Sequence, residues 1–70
     1  PNPAKSEFFV ELPEDGTLEI WNAAGSLTGS YNLKKGKHVL STEQRAAGIY
    51  MLKFSSSKSV WTARLQLTGL

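Results

Sequence analysis

Apolar residues in this chain recur at every second position over short stretches. The clearest stretch covers residues 26–33, where Leu27, Gly29, Tyr31 and Leu33 alternate with polar residues. A period of two is the repeat of a half-buried β-strand, whereas an amphipathic helix repeats every 3.6 residues. The alternation therefore predicts a protein built from strands.

Turn-forming residues separate these stretches at intervals of about 8–12 residues, as is typical of antiparallel sandwiches and small barrels. We therefore predict an all-β fold of six to seven short antiparallel strands, in one domain over residues 1–70. The predicted turns lie at residues 13–16, 22–25, 34–37 and 55–58.

The alternation also assigns faces to the strands. In residues 38–42 the register stays open, because either Val39 or the His38 and Leu40 side can face inward. Trp21 shares a face with Glu19 and is predicted to be partly exposed. The residues predicted to face inward in the other strands are Phe8, Val10, Leu12, Leu18, Ile20, Tyr50, Leu52, Phe54, Trp61, Ala63, Leu65 and Leu67, with Trp61 in the core.

Length and cysteine content exclude several classes of protein. A chain of 70 residues buries only about 60% of its unfolded surface, which leaves no room for a second domain or a large internal active site. The absence of cysteine excludes disulfides, thiol nucleophiles and Cys-ligated zinc. The longest apolar run, residues 49–52, is far shorter than the about 20 residues of a membrane-spanning helix.

The sequence offers no catalytic or cofactor-binding set. His38 is the only histidine, and no serine or acid stands at the spacing of a catalytic triad. Glu14 and Asp15 lie in a turn, where Asp stabilises the local backbone, and the other carboxylates are spread along strands rather than clustered as metal ligands. We therefore predict a protein that is not an enzyme and binds no cofactor or metal.

Basic residues dominate the second half of the chain. Residues 1–33 hold one base and five acids, whereas residues 34–70 hold seven bases and one acid. We expect complementary charges on neighbouring strands. Lys34, Lys35 and Lys37 form a basic tip at a turn, a position where lysines keep hairpins soluble, so we predict no nucleic-acid binding. Contact of this tip with an anionic lipid or glycan stays open.

Three segments together resemble a known family. The chain opens Pro1-Asn2-Pro3-Ala4, and residues 18–25 are similar to a family strand and turn of the pattern apolar-x-apolar-x-x-x-x-Gly. Residues 48–52, followed by residues 58–65, are similar to its closing hairpin. On these segments the chain resembles the C-terminal sorting domain of the type IX (Por) secretion system of gliding and oral Gram-negative bacteria, in its type A form.

The resemblance implies an immunoglobulin-like β-sandwich that acts as a non-catalytic secretion signal. It implies recognition by the outer-membrane translocon and shuttle proteins, with passage through the periplasm to the outer membrane, the cell surface or the medium. A sortase-like cysteine protease removes the domain from many cargos, which are then attached to anionic lipopolysaccharide. The residues implied in recognition are Pro1, Asn2, Pro3, Gly25, Gly48, Tyr50, Lys58, Arg64, Leu65 and Leu67.

Two departures from the family pattern accompany the resemblance. Arg45-Ala46-Ala47-Gly48 stands where the family often has Leu-Pro-x-Gly, and the last residues, 66–70, carry no basic tail. The Pro1-Asn2-Pro3 beginning leads us to expect a domain excised from a longer secreted protein. The alternative is a fibronectin-type or carbohydrate-binding sandwich module of a secreted enzyme.

We expect such a signal to be recognised at residues 60–67 and the adjoining loops. A terminal strand of a small sandwich is an edge, and an edge exchanges backbone hydrogen bonds with a strand from another chain. We expect recognition by shape and backbone pairing rather than in a catalytic pocket. The same edge allows self-association.

Overall fold

The computed structural model describes residues 7–41 and 46–67, and all regular secondary structure in these residues is β-strand. The number of strands is six, within the predicted range. They are β1 (Glu7–Leu12), β2 (Gly16–Asn22), β3 (Leu27–Leu33), β4 (Gly36–Ser41), β5 (Gly48–Ser55) and β6 (Val60–Leu67).

The strands form two antiparallel sheets. The larger sheet has the order β3-β2-β5-β6, and the smaller sheet pairs β1 with β4. Strands β2 and β3, and likewise β5 and β6, are hairpins within the larger sheet. The connection from β1 to β2 and the connection from β3 to β4 each cross from one sheet to the other.

The core lies between the two sheets, which makes the fold a β-sandwich. Leu12 and Leu40 contribute the side of the smaller sheet. The larger sheet contributes the alternating positions of its two central strands, β2 and β5, as the sequence predicts. The buried residues of these strands are Leu18, Ile20, Tyr50, Leu52 and Phe54, and Phe8, Val10, Tyr31, Leu33, Trp61, Leu65 and Leu67 pack against the cluster while half-buried.

Two details of strand facing come only from the structure. In β4 the open register resolves to the His38 and Leu40 side, because Leu40 is 8% exposed and Val39 is 51% exposed. In β3 the alternation is wrong at Leu27, which is 48% exposed. A bulge in the β2–β3 pairing places Leu27 opposite Trp21, on the outer face, and so reverses the parity of the strand at this point.

The two tryptophans differ in how well the sequence predicts them. Trp21 is half-buried on the outer face, where its indole N–H donates to the carboxylate of Glu19 at 3.2 Å, as expected for a partly exposed residue. Trp61, which is predicted to lie in the core, is only half-buried, because β6 lies at the border of the sheet. Its ring stacks on Phe54 with 5.4 Å between centroids.

Complementary charges do face each other across neighbouring strands. Glu11 stands opposite Lys37 in the smaller sheet, and Glu19 stands opposite Lys53 in the larger sheet. The structure thus distributes the acidic first half and the basic second half over shared surfaces, as cross-strand pairing favours.

Candidate recognition site

Most of the described residues that the resemblance implies in recognition lie toward one end of the sandwich. We call this the terminal end; it consists of the turn at residues 22–26, Gly48 and Leu67. Gly48 stands opposite Leu67 in the β5–β6 pair, and Tyr50 stands opposite Leu65 two residues further in. Pro1, Asn2 and Pro3 lie outside the described residues.

Tyr50 is a core residue with a polar contact at its tip. Its side chain is 7% exposed, and its hydroxyl donates to the backbone oxygen of Ala46 at 2.7 Å. This bond resembles the tyrosine corner of immunoglobulin-type sandwiches, in which a tyrosine near the start of a strand fixes the backbone just before it. The burial of Tyr50 gives it a structural role.

Gly25 and Gly48 are exposed glycines with backbone conformations that other residues avoid. Gly25 has a φ of 90° in the β2–β3 turn, and Gly48 has a φ of 152° at the start of β5. The side chain of Asn22 closes the turn, since its oxygen accepts the backbone N–H of Ala24 and of Ser26 at 3.0 and 2.9 Å. Glycine at position 25 is therefore a requirement of the turn.

Strand β6 presents a free edge. In an antiparallel pair, hydrogen-bonded residue pairs alternate with pairs that are not hydrogen-bonded. The Ser56 N–H donates to Ser59 O at 2.9 Å, and this bond shows which residue pairs of β5 and β6 are the hydrogen-bonded ones. Counting from the Ser56–Ser59 pair, every second residue of β6 directs its backbone N–H and C=O away from β5. Within residues 7–41 and 46–67 no strand pairs with that edge. The residues concerned are Val60, Thr62, Arg64 and Gln66.

The other border strand of the larger sheet, β3, is a poorer surface for pairing. A bulge interrupts its register with β2, whereas the eight residue pairs of β5 and β6 run without a shift. Bulges twist an edge away from incoming strands, and natural proteins use them for that purpose. The longer and more regular edge is that of β6.

A second cluster of contacts, absent from the sequence predictions, ties together the loops at the opposite end. We call this the clipped end; it consists of residues 13–15, 34–35 and 56–59. The Glu14 carboxylate accepts the hydroxyl of Ser56, and it accepts that of Ser59 at 2.7 Å. These bonds lower the pKa of Glu14, and Lys58 nearby adds to the effect. Lys58 thus lies at this end, away from the other implied residues.

Asp15 makes the second set of contacts at the clipped end. Its carboxylate accepts the backbone N–H of Lys35 at 2.8 Å and lies 3.7 Å from the ammonium group of Lys34. The backbone hydrogen bond is the main cause of the lowered pKa of Asp15. Through these contacts Glu14 and Asp15 join the β1–β2 and β3–β4 connections to the β5–β6 loop. An acidic pair in a turn is a weak sequence signal for contacts with partners 20 or more residues away.

The histidine of the chain has a structural contact. The Nε2–H of His38 donates to the backbone oxygen of Lys34 at 2.6 Å, because a carbonyl oxygen can only accept. Hollows of about 290 and 310 Å³ lie beside Asp15 and beside Phe9, and His38 lines neither of them. In the part of the chain that the structure describes, no group of three or more His, Cys, Asp or Glu could hold a metal ion.

The same described residues contain no helix long and apolar enough to cross a membrane. Exposed apolar side chains instead lie on the outer faces of the sheets. Phe9, which is 76% exposed, stands opposite Val39, and Met51 stands opposite Trp21.

Comparison with known proteins gives one match. A family model described as "Secretion system C-terminal sorting domain" matches residues 1–68, which is nearly the whole chain. The comparisons with curated proteins and with solved structures gave no match. Nothing in these comparisons favours the fibronectin-type or carbohydrate-binding alternative.

Proposed function

Since this chain belongs to the secretion system C-terminal sorting domain family and is thus a sorting signal for type IX secretion, we propose that the export machinery recognises the free edge of β6. Recognition proceeds by addition of a strand from the machinery to this edge. The observation that carries the proposal is the unbroken register of β6 with β5, which leaves on the other side a regular row of backbone groups that no strand of residues 7–41 and 46–67 pairs with.

The sorting domain directs its parent protein to the cell surface or the medium through the type IX machinery. We propose that the domain itself is non-catalytic and that it passes through the periplasm before the outer-membrane translocon and shuttle proteins bind it. Removal by a sortase-like cysteine protease, attachment of the cargo to anionic lipopolysaccharide and self-association through an edge strand are further proposals that rest on the family resemblance.

The candidate residues divide into two roles in this proposal. Gly25, Gly48 and Tyr50 act indirectly, because they set the turns and the core that hold β6 in place. Residues in and beside β6 act directly, through its backbone and its side chains. Those residues are Lys58, Arg64, Leu65 and Leu67, while Pro1, Asn2 and Pro3 stay candidates from the sequence alone.

The test fuses residues 1–70 to a secreted reporter in a strain with an active type IX system. Thr62→Pro removes a backbone N–H that points to the free edge of β6 and leaves the bonds to β5 intact. The matched control is Ser30→Pro, since the same alternation, carried across β5 and β2, directs the Ser30 N–H to the free edge of β3.

We expect the Thr62→Pro fusion to stay in the periplasm and the Ser30→Pro fusion to be exported. Circular dichroism and thermal melting of both purified domains verify that each is folded. Normal export of a folded Thr62→Pro domain, or an equal block by both variants, would contradict recognition at β6.

A further inference from the structure

The core-facing side of β6 contains a gap between two large apolar residues. Trp61 and Leu65 are half-buried, while Ala63 between them is exposed, although its partner Leu52 on β5 is only 7% exposed. The apolar side of the larger sheet therefore continues from β5 onto β6, where Ala63 is open to solvent. We call this gap, lined by Trp61, Ala63 and Leu65, the Ala63 notch.

The outer side of β6 carries a single charge. Arg64 stands opposite Met51 and forms no ion pair within the described residues, 7–41 and 46–67. Its neighbours on the same face of the strand, Thr62 and Gln66, are uncharged. The free edge thus offers one unpaired cation on one face and one apolar notch on the other.

We propose that the strand which the export machinery adds to β6 carries an acidic residue opposite Arg64 and a large apolar residue that fills the Ala63 notch. This proposal rests on the proposed function and specifies the chemistry of its partner. Side chains of an added strand alternate between the two faces, so both contacts belong to the same short segment.

Removal of water from both faces of β6 determines these residue types. An incoming strand removes water from the Arg64 guanidinium, and that cost is offset only when the strand brings an opposite charge. On the core side, an apolar residue in the notch removes from water the exposed surface that Trp61, Ala63 and Leu65 share. A polar side chain there would lose its water without gaining a partner.

The charge on β6 favours a protein partner over an anionic membrane surface. Attraction to anionic lipid takes a cluster of several Lys or Arg. On β6 itself that face has one, since Val60, Thr62 and Gln66 make up the rest of the outer side of the strand, and the basic residue beside it on β5, Lys53, stands opposite Glu19. A single cation with a defined register is instead suited to one opposing carboxylate.

The test measures export of the reporter fused to residues 1–70 with substitutions at Arg64. We expect Arg64→Glu to lower export about fivefold, because an attractive cross-strand pair becomes a repulsive one, and Arg64→Lys to retain most of it. The matched control is Lys37→Glu, which makes the same charge change on the outer face of the smaller sheet. It is expected to export normally.

The notch is tested in the same assay. Ala63→Phe fills it from within the domain and is expected to lower export, whereas Ala63→Ser keeps the space and is expected to export close to the unsubstituted fusion. Melting temperatures of the purified variants separate loss of recognition from loss of folding.

The outcomes distinguish this proposal from the one on which it rests. If Thr62→Pro blocks export while Arg64→Glu and Ala63→Phe export normally, strand addition stands and the partner chemistry proposed here is wrong. Equal losses for Arg64→Glu and Lys37→Glu would indicate general attraction to an anionic surface and would also overturn it. Normal export of Thr62→Pro would overturn the recognition of β6 itself.

Discussion

The hydroxyl of Ser59 donates a hydrogen bond of 2.7 Å to the carboxylate of Glu14, although the two residues are 45 positions apart. Ser56 donates to the same carboxylate oxygen, so the first crossing between the sheets is fastened to the β5–β6 loop. Asp15, the next residue, fastens the second crossing through the backbone N–H of Lys35. Two consecutive acids thus hold three loops together.

Removal of the Glu14 contacts should weaken the domain. We expect Glu14→Ala to lower the melting temperature slightly, because the loops are exposed and water replaces part of each hydrogen bond. Ser59→Ala should have a smaller effect, and the double variant should lose less than the sum of both. Strictly additive losses would show that the two side chains do not interact. Glu7→Ala, at the other end of β1, is the control and should change little.

Acid should destabilise the clipped end. The pKa values of Glu14 and Asp15 are lowered in the folded domain by hydrogen bonds that the unfolded chain lacks. Their stabilising contribution is therefore complete above the unfolded pKa values, near about pH 4, and is lost as the pH falls through the lower folded values.

Chemical denaturation between about pH 7 and pH 2 measures this effect. A variant with both Glu14→Gln and Asp15→Asn should show a flatter loss of stability in that range than the unsubstituted chain. Parallel curves for the two proteins would contradict the assignment. Glu7→Gln serves as the control for removal of one carboxylate.

Gly16 should tolerate no side chain. A Cβ there would lie 2.5 Å from the backbone oxygen of Ser55 and 2.6 Å from the ring of the fully buried Phe54. We expect Gly16→Ala to cost about 3 kcal/mol of unfolding free energy, measured by urea denaturation. At Gly25 a Cβ meets nothing within 4 Å, so Gly25→Ala should cost only the strain of its φ of 90°, about 1 kcal/mol. Equal costs would indicate that the close approach at Gly16 relaxes.

The Tyr50 hydroxyl should matter for stability rather than for recognition. Tyr50→Phe removes the bond to Ala46 O and leaves the ring in the core, so we expect a loss of about 1 kcal/mol in urea denaturation. The fraction that stays folded should be exported normally. A folded Tyr50→Phe domain that fails to be exported would instead place the hydroxyl in contact with the machinery.

Local periodicity predicts the strands well because each strand buries one face. Tyr50, Leu52 and Phe54 all point into the core, as their alternation with Ile49, Met51 and Lys53 indicates. Where two apolar residues are adjacent, as at Val39 and Leu40, periodicity gives no answer, and the pairing of β4 with β1 decides which one is buried.

Other features depend on contacts between distant parts of the chain. The exposure of Leu27 follows from a bulge opposite β2, and the exposure of Ala63 follows from the position of β6 at the border of its sheet. The partners of Glu14 and Asp15 come together only when all three loops are in place. For the candidate site, the sequence predicts a terminal strand at residues 60–67, whereas the direction of its free backbone groups requires the register.

Strand β2 lies in the middle of the larger sheet, so this sheet cannot be completed until strands late in the sequence are present. Its partner β5 follows more than 25 residues later along the chain, and β1 likewise waits for β4. Such distant pairings make small β-sandwiches fold in milliseconds to seconds, more slowly than helical domains. A chain that ends before β5 leaves β2 with one neighbour and β6 absent. The larger sheet of the sorting domain is therefore complete only after the last two strands have been synthesised and have paired with β2.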